Sequence, residues 1–136
     1  MKEMITYLNF NGNAADAMRF YSRCLGGELS LMRFSEAESN SPTRTDRIMH
    51  AKLTKGSCIL MASDTPSGMC LSQGNNFYIC LNCESREETE RLFSSLGERG
   101  QVTMPLQDTF WGARFGMLLD QFGVNWMFSY EKPRSQ

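Results

Sequence analysis

Met4-Ile5-Thr6-Tyr7-Leu8-Asn9-Phe10-Asn11-Gly12-Asn13 alternates from residue to residue and then breaks into a turn. A period of two is the signature of a strand. The alternation therefore predicts a strand over Met4 to Phe10, with Thr6, Leu8 and Phe10 on one face and Ile5, Tyr7 and Asn9 on the other. The turn leads into a segment in which Ala14, Ala17, Met18, Tyr21 and Leu25 fall on one helical stripe. Asn13 is placed as the N-cap, and Gly26-Gly27 stands where a helix should stop. Further strands are expected over Glu28 to Phe34, Arg47 to Thr54 and Ser57 to Ala62. The last two are joined at Lys55-Gly56, and Ser35 to Asp46 reads as a loop.

The same order of elements then recurs. After a connector from Asp64 to Asn76, a strand is expected over Phe77 to Cys83 and a helix over Glu84 to Leu96, ended by Gly97 and Gly100. Strands over Gln101 to Leu106, Arg114 to Asp120 and Val124 to Tyr130 follow. Sliding the chain by 73 (81 minus 8) lays Leu8 on Leu81, Phe20 on Phe93, Gly27 on Gly100 and Leu29 on Val102. For the later hairpins a slide of 67 (123 minus 56) lays Gly56 on Gly123, Leu60 on Met127 and Met61 on Phe128. The identities are few, but element order, turn glycines and face phase agree. The chain is read as one domain of two units, about 1–64 and 77–131, with a connector over about 65–76.

With 136 residues, 41% hydrophobic and 21% charged, the chain can bury a core without disulfide or metal staples. A net charge of -1 with scattered Lys and Arg argues against nucleic acid as a partner. The N-terminal stretch lacks the apolar core of a signal peptide, and no apolar run approaches the roughly 20 residues of a membrane span. A soluble, cytoplasmic protein without membrane contact is expected. Five cysteines, an odd number, fit reduced thiols better than a disulfide framework. Cys80-Leu81-Asn82-Cys83 matches C-x-x-C. It falls in a strand-like run, where the two thiols point to opposite faces and lack the helix N-terminus that activates a redox pair.

Two βαβββ units in tandem resemble the vicinal-oxygen-chelate superfamily of glyoxalases, bleomycin-resistance proteins and dioxygenases. The segments Tyr7 to Asn13, Leu25-Gly26-Gly27-Glu28-Leu29, Ile48-Met49-His50-Ala51, Ser63-Asp64, Thr109-Phe110-Trp111-Gly112 and Asp120-Gln121-Phe122-Gly123-Val124-Asn125-Trp126 resemble its PhnB-like branch. The resemblance implies an α+β fold, a cupped and partly open eight-stranded mixed sheet with the helices outside. In the superfamily, four His, Glu or Gln side chains hold a divalent metal, one from the first and one from the last strand of each unit. Carried over by motif, these positions are Ile5, Leu60, Tyr78 and Met127. None is a fit ligand for a hard or borderline divalent ion, so no metal and no other cofactor is expected.

If Leu8, Phe10, Met49, Ala51, Leu53, Leu81, Trp126 and Phe128 face the helices, the opposite phase faces the cup. Ile5, Tyr7, Asn9, Ile48, His50, Lys52, Leu60, Tyr78, Cys80, Asn82, Phe115, Met117 and Met127 make up that set. Such a surface, apolar and aromatic with a few polar groups, is the usual lining of a small-molecule site, and it is equally what filling a cup with side chains requires. The candidate ligand contacts are Tyr7, Asn9, His50, Tyr78, Phe110, Trp111, Phe115 and Met127. His50, the one histidine, serves either as a base or hydrogen-bond donor to a ligand or as a tie between strands. Phe110 and Trp111 either stack on a planar ligand or form a dimer seam.

Two functional classes follow. The leading one is a metal-independent binder of a small apolar or aromatic molecule, working as a homodimer. The alternative is an enzyme of the same superfamily, a metal-dependent lyase, isomerase or dioxygenase, or a metal-free catalyst using His50 and Tyr78. Methyl transfer, a label attached to this branch, is disfavoured because no strand-to-helix glycine-rich loop is present to hold a nucleotide-like cofactor.

Overall fold

In the computed structural model, residues 1–34, 46–66 and 68–133 are described. They form β1 (Thr6–Phe10), α1 (Ala14–Leu25), β2 (Glu28–Arg33), β3 (Ile48–Lys55), β4 (Cys58–Asp64), β5 (Ile79–Asn82), α2 (Arg86–Leu96), β6 (Gln101–Asp108), β7 (Ala113–Leu119) and β8 (Asn125–Glu131). This is the α+β arrangement of two βαβββ units. Most of the loop expected over Ser35 to Asp46 lies outside the described residues. The chain divides into two compact units, Met1–Ser72 and Gln73–Gln136. Each carries one four-stranded sheet, ordered β1-β4-β3-β2 in the first and β5-β8-β7-β6 in the second. In both, the first strand runs parallel to the last and the remaining pairs are antiparallel.

In the first unit α1 lays Ala14, Ala17, Met18, Tyr21 and Cys24 against its own sheet, where Phe10, Ala51, Leu53, Leu60 and Ala62 are also buried. The predicted stripe is the core stripe over Ala14, Ala17, Met18 and Tyr21, while at its end Cys24 is buried and Leu25, expected there, is only half-buried. Asn13 occupies the N-cap position, but its side chain makes no capping bond. The cap comes through space from the end of β4. There, Asp64 Oδ1 accepts the N–H of Gly12 at 2.7 Å and of Ala14 at 3.0 Å, and Oδ2 accepts the Ile48 N–H at 2.8 Å. One carboxylate, 2% exposed, therefore ties β4 to the start of α1 and the start of β3.

In the second unit α2 presents Thr89, Leu92 and Leu96 to the core, with Phe93 edge-on to Phe128 at 5.2 Å. Here the cap is local. Ser85 Oγ accepts the Glu88 N–H at 3.0 Å, and the Glu88 carboxylate accepts the Glu84 N–H at 3.0 Å. Pro105 is accommodated because β6 is an edge strand. The glycines after the helices show the repeat physically. A Cβ on Gly27 would run into Thr54 O, and one on Gly100 into Leu119 O, so both helix exits pass close against the third strand of their own sheet.

Candidate functional site

Each sheet has one face under its helix and one face without. Register assigns residues to faces, because partners opposite one another on neighbouring strands point the same way. In the first unit Tyr7 pairs with Met61, Met61 with Lys52, and Lys52 with Ser30. These four form a row across the helix-free face. The next row holds the Asn9–Ser63 and Met32–His50 pairs. Tyr7 Oη lies 3.3 Å from His50 Nδ1, with the rings 5.9 Å apart and tilted by 36°. Ser63 Oγ lies 3.4 Å from Asn9 Oδ1. A phenol that donates to Nδ1 holds the ring in the tautomer with its proton on Nε2, leaving a donor available. Tyr7 is 46% exposed and Met32 44%, so this face is open to solvent at both. The structure thus brings the expected Tyr7, Asn9 and His50 together and adds Met61, Ser63 and Met32.

Two expectations about this face are corrected. Leu60 was expected to point with Tyr7. It pairs with Thr6 and Leu53 and is buried on the helix side, as Ala62 is. Ile48 was expected on the helix-free face and Met49 against the helix. Ile48 is fully buried, and Met32 and Arg33 pair with His50 and Ile48, leaving Met49 as an extra residue. A bulge of one residue inverts the phase beyond it. Met61 and Ser63 were missed because β4 reads Cys-Ile-Leu-Met-Ala-Ser-Asp with no clean alternation, its buried end being the polar Asp64. The pairing of Ala62 with Ala51, two small residues under a helix, was the available signal.

The second unit's helix-free face carries Cys80 and Asn82 of β5, Met127 and Ser129 of β8, and Phe115 and Met117 of β7, in the pairs Cys80↔Met127, Met117↔Met127 and Phe115↔Ser129. The expected Phe115 and Met127 thus share one face. Tyr78 and Ile5 each stand one residue before their strand begins. Tyr78 is 41% exposed. Phe110 and Trp111 form a T-shaped pair, centroids 5.0 Å apart, in the turn between β6 and β7. Phe110 is 97% exposed and Trp111 62%, so the turn holds both rings out in solvent. Thr109 Oγ1 closes this turn on the Ala113 N–H and carbonyl, each at 3.0 Å.

The register also sharpens the repeat. Leu8 and Leu81 pair with Ala62 and Phe128, so the first strands keep the offset of 73 while the last strands take 66 (128 minus 62). The counterpart of Met127 is therefore Met61. With either Leu60 or Met61, the metal positions of the resemblance offer Ile, Tyr and one or two Met. That set lacks the imidazole and carboxylate donors a divalent ion needs, so a metal does not fit it. Among the described residues no three His, Cys, Asp or Glu side chains come together as a metal cluster. The C-x-x-C thiols are not activated either. Burial pushes Cys80 up from its ordinary range, and burial outweighs the Thr89 hydrogen bond in pushing Cys83 up.

Nor is the N-terminus of either described helix available to a phosphate or carboxylate. The first is taken by Asp64 and the second by Ser85 and Glu88. No described helix is long and apolar enough to cross a membrane.

Residues 2–129 match the family described as 3-demethylubiquinone-9 3-methyltransferase. The chain is 34% identical to Protein YjdN of Escherichia coli (strain K12) over 94% of this chain and 95% of that one. Protein PA1353 from Pseudomonas aeruginosa, a crystal structure, superposes with a TM-score of 0.85 at 42% identity over 98% and 100% of the two chains. A putative 3-demethylubiquinone-9 3-methyltransferase, PhnB protein, from Bacillus cereus gives 0.79 at 28% identity over 95% and 99%. The fold alone is shared with a glyoxalase/bleomycin resistance protein/dioxygenase family enzyme from Burkholderia phytofirmans PsJN, with a TM-score of 0.63 at 12% identity over 94% and 97%.

Proposed function

The chain belongs to the family described as 3-demethylubiquinone-9 3-methyltransferase, the PhnB-like branch of the glyoxalase/bleomycin resistance/dioxygenase fold, and from that premise we propose that it is a metal-independent binder of a small apolar or aromatic molecule. The observation that carries this reading is the helix-free face of the first unit, where the Tyr7–His50 pair stands among Met32, Met61 and the Asn9–Ser63 pair. Thioethers and a ring supply adaptable apolar contact, while the amide, hydroxyl and imidazole orient a polar substituent. On the second unit's own open face Phe115 and Met127 supply apolar surface, and the exposed Tyr78, Phe110 and Trp111 stand outside its strands. No chemistry is assigned to His50, since among the described residues no carboxylate is bonded to it to make a relay.

Methyl transfer is not part of this reading, because the N-termini of both described helices are occupied by side chains of the chain itself and neither follows a glycine-rich loop. The protein is proposed to act as a cytoplasmic homodimer. The exposed Phe110–Trp111 pair supports an interface, and light scattering that finds only monomer would remove that part.

Calorimetric titration of chelator-treated protein with neutral ring compounds such as 2-naphthalenemethanol tests the binding. Saturable binding that His50→Ala weakens roughly fivefold is expected. Stoichiometric metal in protein purified without chelator, or binding that vanishes after chelation, would overturn the metal-free reading. Binding indifferent to both Tyr7→Ala and His50→Ala would remove this face from the site.

A further inference from the structure

Lys52 is half-buried in the row Tyr7, Met61, Lys52, Ser30, on an inner strand of the first sheet. Among the described residues it makes no ion pair and no hydrogen bond. Two other cations of the unit are engaged: Arg47 bonds Thr65 and Asn11, and Lys55 bonds the Leu25 carbonyl at 2.6 Å. The other charged side chain on this face is Glu28, on the edge strand beside Thr54, exposed and in no ion pair with Lys52 among the described residues. A lysine with nothing to hold usually extends its ammonium fully into water. Lys52 stands between Met61 and Ser30 in its row, on the same face as His50, with no counter-ion among the described residues, and a cation so placed suits an anion that arrives from outside.

Its neighbours share that polarity. His50 lies two residues along the same strand, about 7 Å away by strand geometry, and in the tautomer in which Tyr7 donates to its Nδ1 its Nε2 carries a proton to donate. Asn9 adds an amide in the same row as His50. We propose that the molecule bound on this face carries an oxyanion, of the carboxylate class, on its apolar or aromatic body. Lys52 is its counter-ion, and His50 and Asn9 donate to it. The inference rests on the binding reading above and deepens it from an apolar ligand to an acidic one.

The test uses a matched pair of probes with one ring system, 2-naphthoate and 2-naphthalenemethanol, titrated calorimetrically into the full chain. Wild-type protein is expected to bind the carboxylate at least about tenfold more tightly than the alcohol. Lys52→Met keeps the stem on this face. It should abolish that preference while leaving the affinity for the alcohol unchanged, and Lys52→Arg should restore most of it. In the unmodified protein, added salt should weaken naphthoate binding and spare the alcohol, a readout that needs no variant. If the alcohol binds and the carboxylate shows no preference, the acidic ligand is refuted; if Lys52→Met keeps the preference intact, Lys52 is refuted as its counter-ion; in either case the binder reading stands. If neither probe binds, both fall.

Discussion

Replacing Asp64 with alanine should cost about 2 to 7 kcal/mol of folding stability, as its three bonds and their surroundings indicate. Gly12 is exposed, so its N–H can turn to water. Ala14 and Ile48 are both 0% exposed, and their N–H groups would be left without an acceptor. Each orphaned donor costs about 1 to 3 kcal/mol, and losing a negative charge at the start of α1 adds about 0.3 to 1. Against a typical domain stability of about 5 to 15 kcal/mol, this is a large fraction.

Asp64→Asn is the control that separates the terms. Its remaining oxygen can still serve Gly12 and Ala14, but its amide NH2 faces the Ile48 N–H, donor against donor. A cost of about 1 to 3 kcal/mol is expected. Urea denaturation followed by far-ultraviolet circular dichroism measures both variants, with the slope unchanged if only stability moves. Hydrogen exchange should show the Ile48 and Ala14 amides losing protection in the alanine variant. An alanine variant within 1 kcal/mol of wild type would refute the tie, as would an asparagine variant that costs as much as the alanine one.

Asp120 makes the matching prediction in the second unit. Its Oδ2 accepts the buried Trp126 indole N–H at 2.7 Å, so Asp120→Leu should destabilise by about 2 to 4 kcal/mol, and unchanged urea midpoints would count against it. The Lys132 hydrogen bond, aided by Arg114, holds the Asp108 carboxyl below its ordinary range. A depressed folded value stabilises above the unfolded pKa and is lost as pH falls through the folded one. The advantage of wild type over Asp108→Asn should therefore be present at neutral pH and close below about pH 4; a gap that widens on acidification would contradict it. In alkylation at pH 8, the exposed Cys58 and Cys70 should react before the half-buried Cys83, whose thiol burial pushes up, as peptide mapping by mass would read. Trp111→Phe should shift the fluorescence to the blue, because the remaining indole, Trp126, is fully buried; an unshifted spectrum would mean that Trp111 is covered in solution.

Element order, both helices and the tandem units were legible because they rest on local signals: alternation, a helical stripe, and glycines at the helix exits. Faces were less legible because a face depends on parity, and parity is destroyed by a single inserted residue. Met49 is one such insertion, unmarked by any glycine or proline. The slide of 67 was another parity error. Gly56 sits in a two-residue turn, whereas Gly123 belongs to a longer loop from Asp120 to Val124. Equating these glycines moved β4 by one residue and turned Leu60 toward the wrong side. On β1, where no insertion intervenes, Tyr7 and Asn9 were placed correctly. His50 came out right because it lies on the near side of the bulge from Ala51 and Leu53.

The segments that tie this chain to its family turn out to describe architecture more than chemistry. Asp120-Gln121-Phe122-Gly123-Val124-Asn125-Trp126 is a closed unit in which one carboxylate holds the Phe122 and Val124 N–H groups and the Trp126 indole. In Thr109-Phe110-Trp111-Gly112 the threonine locks its turn onto Ala113, with Gly112 at a positive φ of 86°. Ser63-Asp64 contributes the carboxylate that caps α1. The two carboxylates and the threonine are spent on the chain's own backbone and core, so a likeness in these segments carries the fold with little information about what is bound. Lys52 lies outside all of them, and the Tyr7–His50 pair joins two by a contact that neither segment encodes alone. Relatives that keep the signatures but differ at Tyr7, His50 and Lys52 should therefore share this fold and bind different molecules. Grafting their residues at these three positions onto this chain would test that directly: a transferred ligand preference at unchanged stability supports the argument, and an unchanged preference refutes it.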